Sequence, residues 1–155
     1  MKYTPIVKVM LVRDRTAKTK ERPMADNPKS VAAIALQVIG DSDREHLLAI
    51  FTDAHGATIA INTVSIGTLT ASLVHPREVF KAAILAQAAG IVLVHNHPSG
   101  RAEPSDDDKE TTRRLRKAGE LMGIPVVDHV ILGHDGEYWS MREHGQCDFC
   151  HKNRP

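Results

Sequence analysis

The sequence predicts an α/β (α+β) domain in which a mixed β-sheet is flanked by helices. Three observations lead there. Apolar runs of strand length, Glu45–Thr52 and Ala57–Ile66 among them, are interleaved with stretches of helical period opened by Asn27-Pro28, Pro76 and Ser105. Turns at Asp53-Ala54-His55-Gly56 and Gly133-His134-Asp135-Gly136 join neighbouring runs as hairpins, which makes part of the sheet antiparallel. Ile91 to Val94 is apolar without a break, the pattern of a central strand buried on both faces.

Taken in order, residues 4–12 alternate loosely between apolar and polar and suit a first strand ending at Arg13. Arg13 to Arg22 then carries Arg13, Arg15, Lys18, Lys20 and Arg22 against Asp14 and Glu21. Such a run can meet phosphates, but without interleaved aromatics a solvated loop is the favoured reading. Asn27 is an N-cap and Pro28 the first helical residue, with Val31, Ile34, Ala35 and Val38 at helical spacing until Gly40. After the hairpin 45–66, Gly67 marks a bend before the segment 68–74.

Pro76 opens the next helix, whose face is Val79, Phe80, Ala83, Ile84 and Ala88, with Gly90 as its stop. The strand 91–94 then delivers His95 and His97. A helix over 106–122 is expected to bury Leu115, Ala118 and Met122 and to solvate Arg113, Arg114, Arg116 and Lys117. Residues 125–132 and 137–141 form a final hairpin.

Length and composition narrow the classes. A chain of 155 residues supports one core, and 42% hydrophobic with 25% charged residues describes a globular protein rather than a disordered one. A formal net charge of +1 carries no signature of a strongly basic nucleic-acid binder. Ile6 to Val12 is interrupted by Lys8, too short to span a bilayer and followed by no small-residue cleavage site, so the expected location is the cytoplasm, away from membranes. The only cysteines, Cys147 and Cys150, exclude a disulfide framework. The expected organisation is a strand and basic loop over 1–26 packed on a domain of residues 27–142, with a flexible tail over 143–155.

The chemistry concentrates in His95-Asn96-His97-Pro98-Ser99-Gly100 and Pro104-Ser105-Asp106-Asp107-Asp108. Residues two apart on a strand share a face, so His95 and His97 can aim two imidazoles at one point while Asn96 points away. Ser105 reads as the N-cap of the following helix, and Asp108, three residues on, returns a carboxylate toward the strand end. Two imidazoles and a carboxylate match zinc, and three protein ligands leave a fourth position open, as catalysis requires. Each residue also has a plain structural reading, since three acids in a first turn suit the helix macrodipole without any metal.

His95-x-His97-Pro98, six residues, then Ser105-x-x-Asp108 resembles the JAMM metalloprotease signature of the JAB/MPN domain. The narrower His-Asn-His-Pro-Ser-Gly with Pro104-Ser105 is similar to the RadC branch, as are Gly67-Thr68-Leu69, His75-Pro76-Arg77-Glu78-Val79 and Asp128-His129-Val130-Ile131-Leu132-Gly133. The resemblance covers roughly residues 28 to 142. It implies a three-layer, cytidine deaminase-like fold and one zinc ion per chain on His95, His97 and Asp108. It also implies hydrolysis of an amide, isopeptide or peptide bond by metal-activated water, on a protein or peptide substrate of which ubiquitin-like proteins are one class.

The family's catalytic glutamate lies on an early strand beside the first helix, a position Glu45 matches; Glu78, in a helical first turn, is the alternative. Its serine matches Ser105, as oxyanion donor, helix cap or both. Competing functions are an accessory role in DNA repair or mobile-element DNA metabolism, long attached to the RadC branch, and a non-catalytic MPN scaffold. Many RadC-like proteins carry a helix-hairpin-helix region ahead of the domain, and its expected absence here weakens direct DNA binding. His129 is expected to bond a backbone carbonyl outside the metal shell, and His75 to mark a helix entry. Cys147-x-x-Cys150, flanked by His144 and His151, could hold a second zinc, but a frayed terminus is favoured.

Overall fold

Alternation along two neighbouring strands organises the core, because each sends successive side chains to opposite faces of one sheet. The computed structural model describes residues 8, 10–12, 22–67 and 74–149. Its elements are α1 (Pro28–Ile39), β1 (His46–Thr52), β2 (Thr58–Ile66), α2 (Pro76–Leu85), β3 (Gly90–Asn96), α3 (Asp106–Met122), β4 (Val126–Leu132) and β5 (Tyr138–Ser140). The strands lie in the order β2-β1-β3-β4-β5, antiparallel except for β3 and β4, which are parallel and joined through α3.

On one face Leu48 and Ile50 of β1, Val92 and Val94 of β3, and Val130 and Leu132 of β4 pack under Val31, Ile34 and Ala35 of α1. On the other, Leu47, Ala49 and Phe51 of β1 and Ile91 and Leu93 of β3 pack under Val79, Phe80 and Ala83 of α2 and Leu115 of α3. The unbroken apolar run of β3 therefore serves two cores at once, and the chain has the expected three layers. Gly119 lets α3 close on the turn before β4, since a Cβ there would lie 2.6 Å from the Ile124 carbonyl oxygen.

Several boundaries differ from those the sequence suggests. α2 stops at Leu85, not at Gly90, because Gln87 adopts a left-handed φ of 55° and the Gln87 and Ala88 amides bond back to the Ile84 and Ala83 carbonyls. Ile84 is accordingly exposed, while Gly90 opens β3 opposite Thr52. The buried face of α3 is Asp108, Thr111, Thr112, Leu115 and Gly119, its first turns facing a polar centre, while Ala118 is partly buried against the core and Met122 is exposed. β5 spans three residues, since Met141 already begins a turn.

Of the expected strand 4–12, Lys8 and Met10–Val12 are described and are not in a strand, and Met10, Leu11 and Val12 are exposed. Its other residues, most of the basic run 13–22 and the segment 68–73 lie outside the described residues. Residues 23–25 bond to the turn between β1 and β2, through Ala25 N–H to Gly56 and Thr58 N–H to Pro23. Within the expected flexible tail, Cys147 and Phe149 are packed. Cys147 is buried with Ile131 and Met141, Arg116 donates to its carbonyl and stacks over Phe149, and Cys150 lies outside the described residues. Among the described residues, no helix is long and apolar enough to cross a membrane.

Candidate metal centre

His95 is the penultimate residue of β3, paired with Leu47 on one side and Ile131 on the other, and is wholly buried. His97 follows the strand's last residue, but its backbone N–H still bonds the Leu132 carbonyl, so its ring lies on the same side as that of His95. The third group arrives from α3. Ser105 Oγ accepts the Asp108 N–H at 3.1 Å and Asp108 Oδ2 accepts the Ser105 N–H at 2.7 Å, a reciprocal capping box that fixes the Asp108 side chain.

The three side chains converge. His95 Nε2 is 2.8 Å from His97 Nε2 and 3.2 Å from Asp108 Oδ1, while His97 Nε2 is 3.3 Å from Asp108 Oδ2. Glu45, immediately ahead of β1, places Oε1 4.0 Å from both Nε2 atoms. All four residues offer ligand atoms within 4.8 Å of one another. Glu45 therefore stands just behind a tighter triad. Glu78 is elsewhere on α2, paired with Arg77 and Lys81, whose hydrogen bond lowers its carboxyl pKa. His75 caps α2 by accepting the Arg77 N–H, as a helix-entry residue does.

The electrostatics of the triad follow from burial and contact. Burial alone would raise the Asp108 pKa, but hydrogen bonds from His95, His97 and Ser105 override it and hold the carboxyl far below the usual carboxylate range. The hydrogen bond to Asp108 raises the pKa of His97, against its partial burial. At the other end of the His97 ring, Nδ1 lies 2.6 Å from the Arg101 carbonyl oxygen. A carbonyl only accepts, so Nδ1 carries the proton and Nε2 is left facing Asp108 to hold a cation, whether a proton or a metal.

Behind the triad lies a layer that motif reasoning does not place. His129 Nε2 is 2.8 Å from His95 Nδ1, and His129 Nδ1 is 2.6 Å from Thr112 Oγ1. The expected backbone-carbonyl partner of His129 is thus replaced by two side chains, although His129 does stay outside the four-residue cluster. Burial pushes its pKa well down, with the nearby His95 adding to the effect. Asn96 is the other unexpected participant: it donates to the Arg44 carbonyl and accepts the His46 N–H. The available signals are a histidine within the mostly apolar strand sequence Val126–Leu132 and an amide side chain at the end of β3.

A cavity of about 580 Å³ opens beside His97, between the chain after α1 at Asp41–Asp43, Pro98 and the turn His134–Gly136. It meets the centre at Asn96 and His97.

The sequence family described as "RadC-like JAB domain" matches residues 25–146. A UPF0758 protein of Rubrobacter xylanophilus is 49% identical over 129 residues, 83% of this chain and 56% of that protein. One of Desulforamulus reducens is 47% identical over 118 residues, covering 76% and 52%. One of Chlorobaculum tepidum is 50% identical over 106 residues, covering 68% and 47%. The chain spans about half the length of these curated relatives.

Proposed function

The chain belongs to the RadC-like JAB domain family, and on that premise we propose that it is a zinc-dependent hydrolase of amide or isopeptide bonds in protein or peptide substrates. One observation carries the reading: two imidazole Nε2 atoms and a buried carboxylate converge within 2.8 to 3.3 Å, with a second carboxylate 4.0 Å away. Three such groups at one point are mutually satisfied by a dication, and imidazole with carboxylate oxygen is a set that suits zinc. His95, His97 and Asp108 would hold the ion, which when bound supplies Lewis acidity and lowers the pKa of water.

The remaining roles belong to the chain's own side chains. Glu45, part-buried and outside the tighter triad, would take a proton from the attacking water and return it to the leaving amine. Ser105 uses its oxygen to accept from Asp108 N–H, which leaves its hydroxyl proton for the developing oxyanion. The cavity beside His97 receives the polypeptide on one side of the scissile bond.

The test combines metal analysis with cleavage of ubiquitin-like and peptide-fused substrates by wild type, Glu45→Gln and His97→Ala. About one zinc per chain is expected in wild type and Glu45→Gln, with cleavage by wild type alone. Absence of zinc after reconstitution, or equal cleavage by all three proteins, refutes the reading.

A further inference from the structure

We propose that Thr112, which offers no ligand atom to the metal site, sets the tautomer of His95 through His129 and so keeps the His95 Nε2 lone pair available to a metal. The inference rests on the metal-centre reading above and deepens it.

The argument follows one proton at a time around a closed circuit. Thr112 Oγ1 lies 2.6 Å from the backbone carbonyl oxygen of Asp108, one helical turn earlier. Two oxygens at that distance need a hydrogen between them, and the carbonyl has none, so the threonine hydroxyl donates. The Met141 sulfur, 3.5 Å away, is too weak an acceptor to compete.

With its proton committed, Thr112 Oγ1 can only accept from His129 Nδ1, 2.6 Å away, which must therefore carry hydrogen. His129 is buried, and its ring contacts are His95 and Thr112 rather than a carboxylate, so it is neutral and its Nε2 is a bare lone pair. His95 Nδ1, 2.8 Å from that lone pair, must then be the protonated nitrogen. The lone pair of His95 is left at Nε2, 2.8 Å from His97 Nε2 and 3.2 Å from Asp108 Oδ1. The circuit begins at the carbonyl of Asp108 and ends facing the carboxylate of the same residue.

The opposite arrangement explains why a threonine is needed. If His129 carried its proton on Nε2, it would donate to His95 Nδ1, and the His95 proton would move to Nε2. There it would donate to Asp108, and the two residues would satisfy each other with no metal. One hydroxyl distinguishes a metal-ready centre from a self-satisfied one. Thr112 is thus a positioning residue, and His129 transmits its effect.

The experiment compares wild type, Thr112→Val, which keeps the shape and removes the hydroxyl, and Thr112→Ser, which restores it. Zinc affinity is measured by competition with a chromophoric chelator, and histidine tautomers by long-range ¹H–¹⁵N correlation on metal-free protein. Thermal unfolding of the metal-free proteins separates a general loss of stability from the specific effect.

Wild type and Thr112→Ser are expected to show His95 protonated at Nδ1. Thr112→Val is expected to show His95 protonated at Nε2 in a substantial fraction of molecules and to bind zinc about 10- to 100-fold more weakly. Should Thr112→Val not fold, an Nε2-protonated His95 in wild type still overturns the proposal. So does a Thr112→Val protein with unchanged tautomer and zinc affinity. A wild type with the Nδ1 tautomer but no affinity for zinc overturns the metal-centre reading instead.

Discussion

The carboxamide of Asn96 grips the backbone on both sides of Glu45. Its Oδ1 accepts the His46 N–H at 2.8 Å and its Nδ2 donates to the Arg44 carbonyl at 2.9 Å. The ladder between β1 and β3 ends at Leu47 and His95, because beyond that point the backbone at His97 bonds β4. Asn96 spans the resulting gap. The residue between the two histidines is thereby the one that locates the carboxylate behind them, and only an amide supplies both the donor and the acceptor required.

Replacement of Asn96 by Asp keeps its size but sets an acceptor against the Arg44 carbonyl. Turnover of a cleavable substrate is expected to fall about 10- to 100-fold through misplacement of Glu45, with zinc content unchanged. Steady-state kinetics with metal analysis on the same sample checks this, and unchanged turnover would show that Glu45 holds its place without the Asn96 amide.

Ser105 has two separable duties. Ser105→Ala should cost about 1 kcal/mol through the lost cap, whereas Ser105→Gly should cost only a few tenths. Both should lower turnover by about 10²- to 10³-fold if the hydroxyl serves the oxyanion. Denaturant unfolding and kinetics on the pair decide the matter: activity that tracks stability leaves Ser105 as a cap alone.

Gly133 reaches the centre through the backbone. A Cβ at this position would lie 2.5 Å from the Gly100 carbonyl and 3.2 Å from the Ala102 nitrogen, on either side of the Arg101 carbonyl that holds the His97 ring. Gly133→Ala is expected to destabilise the fold by about 1–3 kcal/mol and to weaken zinc binding as that carbonyl shifts. Chelator competition showing wild-type affinity would mean that the loop yields elsewhere.

In protein stripped of metal, Asp108 and His97 respond to pH in opposite senses. The lowered Asp108 pKa gives stability present above its unfolded value of roughly 3.9 and lost as pH falls toward the folded value. The raised His97 pKa gives stability present below roughly 6.5 and lost as pH rises through the folded value. Together they favour the window between those limits, while the lowered pKa of His129 costs stability as pH falls below roughly 6.5, so the two histidines oppose each other there. The His97 contribution is read as the difference in melting temperature between chelated wild type and chelated His97→Ala from pH 4 to 8; a difference that grows in favour of wild type from pH 6 to 8 would contradict it.

The sequence made the layers legible because period and punctuation agree: Asn27-Pro28 starts α1, Ser105 starts α3, and the unbroken run into His95 announces a strand covered on both faces. It misled where a local choice had no distinctive residue. Gln87 ends α2 in a left-handed conformation that glycine usually supplies, so Gly90 drew the boundary too late. His95, His97 and Asp108 were readable because spacing alone brings them together, and Glu45 through family resemblance. Thr112 and His129 were not, since their meeting depends on how α3 lies against β4, which no local pattern encodes.

The parallel pairing of β3 and β4 through α3 also bears on when the centre can exist during folding. Glu45 precedes β1, His95 ends β3 and His129 lies within β4, so the complete constellation requires strands distant in sequence to have docked. Such long-range pairing forms late. Zinc acquired by the finished sheet should then slow unfolding while leaving the refolding rate nearly unchanged, making the ion a lock on the native chain rather than a nucleus for it.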